Sequence, residues 1–227
     1  MQFSAATLSI TPPIEGVYDV QHVCGEESNA FFSKTPVLKA RCNMEDGGGW
    51  MVILRRKSDV IEQVNFNRLW SDYERGFGDL ETEFWYGLHN MHCLTTRQEV
   101  DLRIVLKKGD GTSQEWKYGH FIVGGPETNY TLYVGQATSP NGTYNALLGH
   151  TRKKFTTYDR KNDFNPNANC AAIYRAGWWY HYCQNAVLTG GHETQGILWR
   201  NGYPEPDYTY YPNVEMMVRP KGCVPKD

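Results

Sequence analysis

The segment from residue 140 to residue 212 places the tightest constraint on the fold. It holds nine of the fifteen tyrosines and three of the seven tryptophans, interleaved with Asn, Gly and Pro and with little regular periodicity. A stretch this long without repetitive structure is characteristically functional or covalently stapled. Cys170 and Cys183 lie inside it and could close a small loop, a restraint worth about 2–4 kcal/mol. The scaffold must come from the rest of the chain, where periodicity is clear. Trp50-Met51-Val52-Ile53-Leu54 follows three glycines and ends at Arg55-Arg56, which predicts a buried strand launched from a turn. Val100, Leu102, Ile104 and Leu106 alternate, as do Tyr130, Leu132 and Val134, the pattern of half-buried strands. Residues 214–219 form another apolar strand ahead of Pro220. Asn65 is placed to cap a helix through Leu69, Trp70 and Tyr73, which Gly76 stops. Residues 83–95 carry Phe84, Trp85, Leu88 and Met91 at helical spacing and predict a second helix. Helices and strands build the scaffold, and the aromatic segment makes the working surface. No repeat or linker divides the chain, and its last strand must return to the earlier sheet.

Composition removes several classes of function. The 227 residues include 23 Lys and Arg against 25 Asp and Glu, a net charge of −2. A general nucleic-acid binder needs surplus cations to displace phosphate counterions, so that class is excluded. No apolar run is long enough for a membrane-spanning helix. At 40% apolar and 14% aromatic residues, the chain is too rich in packing material to be disordered. Six cysteines (Cys24, Cys42, Cys93, Cys170, Cys183 and Cys223) form no C-x-x-C pair. Two glycosylation triplets, Asn129-Tyr130-Thr131 and Asn141-Gly142-Thr143, accompany them. Together they favour an oxidising, extracellular compartment over a cytosolic protein with buried thiols. The polar stretch from Met1 to Pro13 reads as the cut edge of a longer secreted chain, or as a mature chain given a start Met.

Enzymatic motifs are weak. The sequence has no G-x-S-x-G, no H-E-x-x-H and no Gly-rich loop followed by Lys-Ser or Lys-Thr. Asp46-Gly47-Gly48-Gly49 precedes a Trp and reads as a turn. His89, His92 and Cys93 could share a helix face around a metal, but ordinary packing at a helix end is the better reading. Asp163, Asn165 and Asn167 recur at every second residue, a spacing that can turn successive oxygens toward one hard cation such as calcium. Lys161 beside them weakens any such site. Tyr174, Trp178, Trp179, Tyr180, Tyr182, Trp199 and Tyr203 cluster around the candidate staple. Some must fill a core, yet so many phenols fit a recognition surface for sugars, acetyl groups or partner proteins.

These residues resemble the fibrinogen-related domain family, the C-terminal globule of fibrinogen chains, ficolins, tachylectins and angiopoietins. The matching stretches are Asp46-Gly47-Gly48-Gly49-Trp50, Asn65-Phe66 with Trp70, Gly76-Phe77-Gly78-Asp79-Leu80, Glu83-Phe84-Trp85 and His92-Cys93-Leu94-Thr95. They continue in order through Asn169-Cys170-Ala171, Gly177-Trp178-Trp179-Tyr180, Cys183, Gly196-Ile197-Leu198-Trp199 and Glu215-Met216, over residues 16–220. The resemblance implies an α+β globule following an extension over residues 1–15. Residues 16–56 make a small N-terminal sheet, and residues 57–139 with 213–220 make a central antiparallel sheet with the C-terminal strand returning. Residues 140–212 make a loop-rich binding subdomain, and the whole domain runs over residues 16–223. It also implies the Cys170–Cys183 disulfide.

Many relatives are lectin-like and grip acetyl groups beside a calcium loop. Carried over by position, Tyr174 and Tyr203 match pocket tyrosines, and with Tyr182, Gln184 and Trp199 they would shape the ligand site. Gln184 stands where a histidine is usual, and Glu193-Thr194 where Tyr-Ala is common. Lys161 falls at the usual first calcium Asp, whereas Asp163 matches the second, leaving a weak or rearranged site through Asp163, Asn165 and Asn167. The usual partner of Cys42 lies upstream. Cys24 could stand in for it, leaving Cys93 and Cys223 to each other. The expectation is a secreted, non-enzymatic module that binds acetylated or other microbial-surface glycans in innate recognition. The alternative is a module that engages a cell-surface protein, or assembles as a homo-oligomer, without binding sugar.

Overall fold

The structure, a computed structural model, describes residues 15–21, 37–138, 144–183, 185–191, 196–201 and 208–222. It opens with β1 (Gly16–Gln21), β2 (Val37–Asn43) and β3 (Trp50–Arg56). Next come α1 (Trp70–Arg75), β4 (Phe77–Gly78), β5 (Phe84–Trp85) and α2 (Leu88–Thr96). A run of strands follows: β6 (Val100–Lys107), β7 (Ser113–Tyr118), β8 (Phe121–Val123), β9 (Leu132–Val134) and β10 (Ala137–Thr138). The C-terminal part carries α3 (Cys170–Tyr174), β11 (Ala186–Val187), β12 (Ile197–Arg200), β13 (Tyr208–Tyr211) and β14 (Asn213–Pro220).

The main sheet is antiparallel, in the order β1-β2-β3-β14-β6-β7-β10, with β5 alongside β3 and β4 alongside β5. β14 lies between β3 and β6 and pairs with both, so the last strand returns to the centre as its apolar pattern requires. Leu102, Ile104 and Leu106 of β6 have no exposed surface. Asp46, Gly47, Gly48 and Gly49 all have positive φ, a run that L side chains resist and glycine adopts freely. This turn passes the chain from β2 to β3, which pair only at Cys42–Met51 and Asn43–Trp50. β1 and β2 therefore extend the main sheet at one edge through a short contact with β3. Two smaller sheets, β11-β12-β13 and β8-β9, lie apart from it.

Two helix boundaries differ from the sequence expectation, each for a tertiary reason. α1 begins at Trp70 because the Asp159 carboxylate, distant in sequence, accepts the Trp70 N–H at 3.0 Å. Asn65 instead accepts the Asn67 N–H in a local turn. Gly76 ends the helix as expected. Phe84 and Trp85 are extended because they pair with Arg55 and Leu54 of β3, and the second helix starts only at Leu88. Sheet pairing overrides the helical spacing.

Glu83, just ahead of β5, meets Arg56 at the end of β3 in a buried ion pair of 2.9 Å, with side chains 0% and 1% exposed. Arg56 also donates to the Gly190 carbonyl at 2.7 Å, and its guanidinium lies 3.9 Å from the Phe66 ring centroid. Glu83 accepts the N–H groups of Lys57 and Val64. The pair ties the irregular segment near residue 190 to the main sheet.

The core is strongly aromatic. Phe155 packs against Tyr73 and Trp179, both at 5.1 Å between ring centroids, and Trp85 lies 5.9 Å from Trp179. Trp116 of β7 meets Trp199 of β12 at 4.6 Å, joining the large sheet to the three-stranded one.

Candidate functional site

α3 begins at Cys170 because Asn169 caps it, its side-chain oxygen accepting the Ala172 N–H at 3.2 Å. The helix holds Cys170 with its Cα 5.1 Å from that of Cys183, and the two form a disulfide. Behind this staple sits His150, wholly buried. Its Nδ1 donates to the Trp179 carbonyl at 2.8 Å, and its Nε2 accepts the N–H groups of Ala186 at 2.9 Å and Asn185 at 3.3 Å. Those partners fix the neutral tautomer, and burial holds the ring's pKa down at about 4. One imidazole thus pins the backbone on both sides of Cys183.

Three rings lie on the outer side of the staple. Phe164 is 54% exposed and Tyr182 66% exposed. His181 stands between them, 5.4 Å from Phe164 and 4.6 Å from Tyr182, with interplanar angles of 73° and 64°. The Phe164 N–H donates to the His181 carbonyl at 3.0 Å, which fastens the two loops that carry the rings. The Lys153 ammonium sits 5.3 Å from the Phe164 centroid. Partial burial, and then that ammonium, lower the His181 pKa, so the ring is neutral near pH 7. The result is an uncovered edge-to-face aromatic row with a cation at one end.

Of the residues expected to shape a ligand pocket, Tyr182 is on this surface. Trp199 is not: it has no exposed surface, because β12 is the middle strand of its sheet and the indole packs on Trp116. Tyr174 is only 5% exposed and stacks on Tyr180 at 5.9 Å, and burial pushes its phenol up to about 12. Gln184 and Tyr203 lie outside the described residues. Phe164 and His181 are the members that sequence reasoning missed. The available signal was Phe164 itself, an isolated apolar residue between Asp163 and Asn165 with no periodic partner.

The expected calcium ligands do not fit a calcium ion. The Asp163 carboxylate, with no exposed side-chain surface, already faces a cation: Lys161 Nζ lies 3.0 Å from its Oδ1. Oδ1 also accepts the Asn165 N–H and Oδ2 the Cys170 N–H. The Asn165 side-chain oxygen is turned onto the Asn167 N–H, and its amide nitrogen donates to Cys183 Sγ. The oxygens that the spacing offered to a metal are directed at the chain's own donors. Among the described residues there is no cluster of three His, Cys, Asp or Glu that could hold a metal, so the His89, His92 and Cys93 grouping is not one; His92 bonds to the Val123 carbonyl.

Cys42 carries a free thiol, half-buried near Tyr86, and Cys24, the partner suggested for it, lies outside the described residues. Burial pushes that thiol's pKa up. Cys93 is disulfide-bonded. Cys24 and Cys223 lie outside the described residues, as does Asn141. Asn129 is half-buried in a left-handed conformation, its side-chain oxygen accepting from Arg160 at 2.6 Å.

A returning central strand, a stapled irregular lobe and an α+β framework together define a class, the fibrinogen-type C-terminal globe. The sequence matches the family described as fibrinogen beta and gamma chains, C-terminal globular domain, over residues 24–221, and the chain belongs to that family. It is 35% identical to fibrinogen-like protein 1 of Bos taurus, covering 88% of this chain and 70% of that protein. It is 34% identical to human fibroleukin, covering 90% of this chain and 51% of that protein, so it spans about half of fibroleukin's length. Among solved structures it resembles the fibrinogen-like globe domain of human ANGPTL2, with a TM-score of 0.75 and 28% identity over 91% of this chain and 93% of that one. It also resembles lamprey fibrin D-dimer complexed with the peptide ligand Gly-His-Arg-Pro-amide, with a TM-score of 0.71 and 28% identity over 85% and 66% of the two chains.

Proposed function

We propose that this globe is a secreted, non-catalytic recognition module that binds a protein partner through the Phe164, His181 and Tyr182 surface. The observation that carries the reading is the exposed ring row itself, held beside the disulfide by a backbone hydrogen bond. Large aromatic rings that the fold leaves uncovered and rigidly mounted supply contact area at low entropic cost, which is what protein-binding anchors require. Lamprey fibrin D-dimer, a structural relative, takes a peptide ligand, which supports peptide-like chemistry over sugar chemistry. That peptide carries an arginine, whereas the row here ends at Lys153, which has no carboxylate bonded to it among the described residues. The preferred partner segment is neutral or acidic. The acetylated-glycan reading is less favoured, because Trp199 and Tyr174, two of the rings it needs, are buried.

Binding of the labelled globe to cells from native tissue tests the reading. It is expected to be abolished by surface proteolysis, to survive glycosidase treatment, and to fall at least tenfold in Phe164→Ala and Tyr182→Ala. Both side chains are exposed, so melting temperatures stay near wild type. Binding that both variants retain would overturn the assignment. Retention on an N-acetylglucosamine resin that Tyr182→Ala loses would replace it with the sugar reading.

A further inference from the structure

We infer that Lys161 is a tethered counter-ion that folds the loop over residues 161–167 and stands in for the divalent cation its spacing suggests. Lys161 Nζ donates to Asp163 twice, at 3.0 Å to the carboxylate and 3.2 Å to the main-chain carbonyl. The carboxylate it neutralises is wholly enclosed, and a buried charge without a partner is costly. The same carboxylate organises everything downstream. Through the N–H groups of Asn165 and Cys170 it fixes the turn after Phe164 and the first turn of α3, and Asn165 reaches on to Cys183. A cation two residues away along the chain acts at an effective concentration of millimolar or more, so free calcium competes at a disadvantage. The loop is complete without metal, and Lys161 is the positioning residue that makes it so. This inference concerns how the loop folds, and it stands whether or not the adjacent rings bind a protein.

Thermal melts of the whole chain at neutral pH, in about 5 mM calcium and in chelator, test it. The wild-type midpoint is expected to be the same in both. Lys161→Met strands the Asp163 carboxylate and lowers the midpoint by several degrees. Lys161→Arg restores the wild-type midpoint. Lys161→Asp adds a carboxylate at the head of the alternating oxygen series, so its midpoint is low in chelator and rises by several degrees with calcium. A purely structural lysine would not confer that calcium response. A wild-type midpoint that rises with calcium, or a Lys161→Met protein that melts with wild type, overturns the inference. If none of the three variants folds, the two wild-type melts decide it.

Discussion

Replacing Glu83 with Ala is expected to remove about 3–5 kcal/mol of stability, because it takes the Glu83 carboxylate away from the enclosed Arg56 guanidinium. For a chain of this size that corresponds to a fall in melting temperature of roughly 10 °C. The two N–H groups that Glu83 accepts, from Lys57 and Val64, lose their partner in the same step. Arg56→Met is expected to cost a similar amount and to release Gly190 from the main sheet. The double variant Arg56→Met, Glu83→Leu should lose less than the sum, since the two charges of the pair are removed together. Urea denaturation of the four proteins measures the coupling. A double variant as damaged as the two singles combined would show that the pair is not interacting as described.

The second large effect is acid sensitivity through His150. Its folded pKa of about 4 lies below the ordinary value of 6.5, so in that window the unfolded chain binds a proton that the folded chain refuses. Stability from this residue is complete above about pH 6.5 and is lost as pH falls toward 4, about 3 kcal/mol in all. The cause is geometric as well as dielectric. A proton on Nε2 would point at the Ala186 and Asn185 N–H groups, which now donate to it. Lys153 and His181, the charged and titratable groups that bear on the ring, press in the same direction. His150→Phe is expected to be less stable at pH 7 and to have a flatter pH profile. The gap between variant and wild type should close by about 3 kcal/mol between pH 7 and pH 4. A gap that stays constant would assign the acid sensitivity to other groups.

How much was legible in the sequence depended on whether periodicity or tertiary context decided the outcome. β3, β6 and β14 could be read because alternating or continuous apolar runs leave little freedom about which face is buried. Two cysteines in one irregular segment offered a staple, and the family resemblance implied that they pair, as they do. The tyrosines could not be read. They suggested an outward surface, on the argument that buried phenols are expensive, yet Tyr174 and Tyr180 are buried, and Trp178 and Trp179, of which at least one was expected in the core, are both in it. An irregular backbone explains this. Where strands and helices do not pair the carbonyls, phenol and indole donors do so: Tyr180 bonds to Ala176, Tyr73 to Phe66 and Trp179 to Tyr130. Much of the aromatic excess therefore belongs to the same core as the sheet residues, and some of its rings supply hydrogen bonds as well as volume. The recognition row was hidden for the opposite reason. Nothing in the sequence shows that residues 164 and 181, far apart along the chain, share a backbone hydrogen bond.

The place of β14 has a consequence for biosynthesis. The strand that completes the large sheet is among the last parts of the domain to leave the ribosome, and until it arrives β3 and β6 present bare edges to each other and to other nascent chains. Folding of this globe must wait for translation to pass residue 220, and any message truncated before residue 213 would yield an aggregating product rather than a smaller working one.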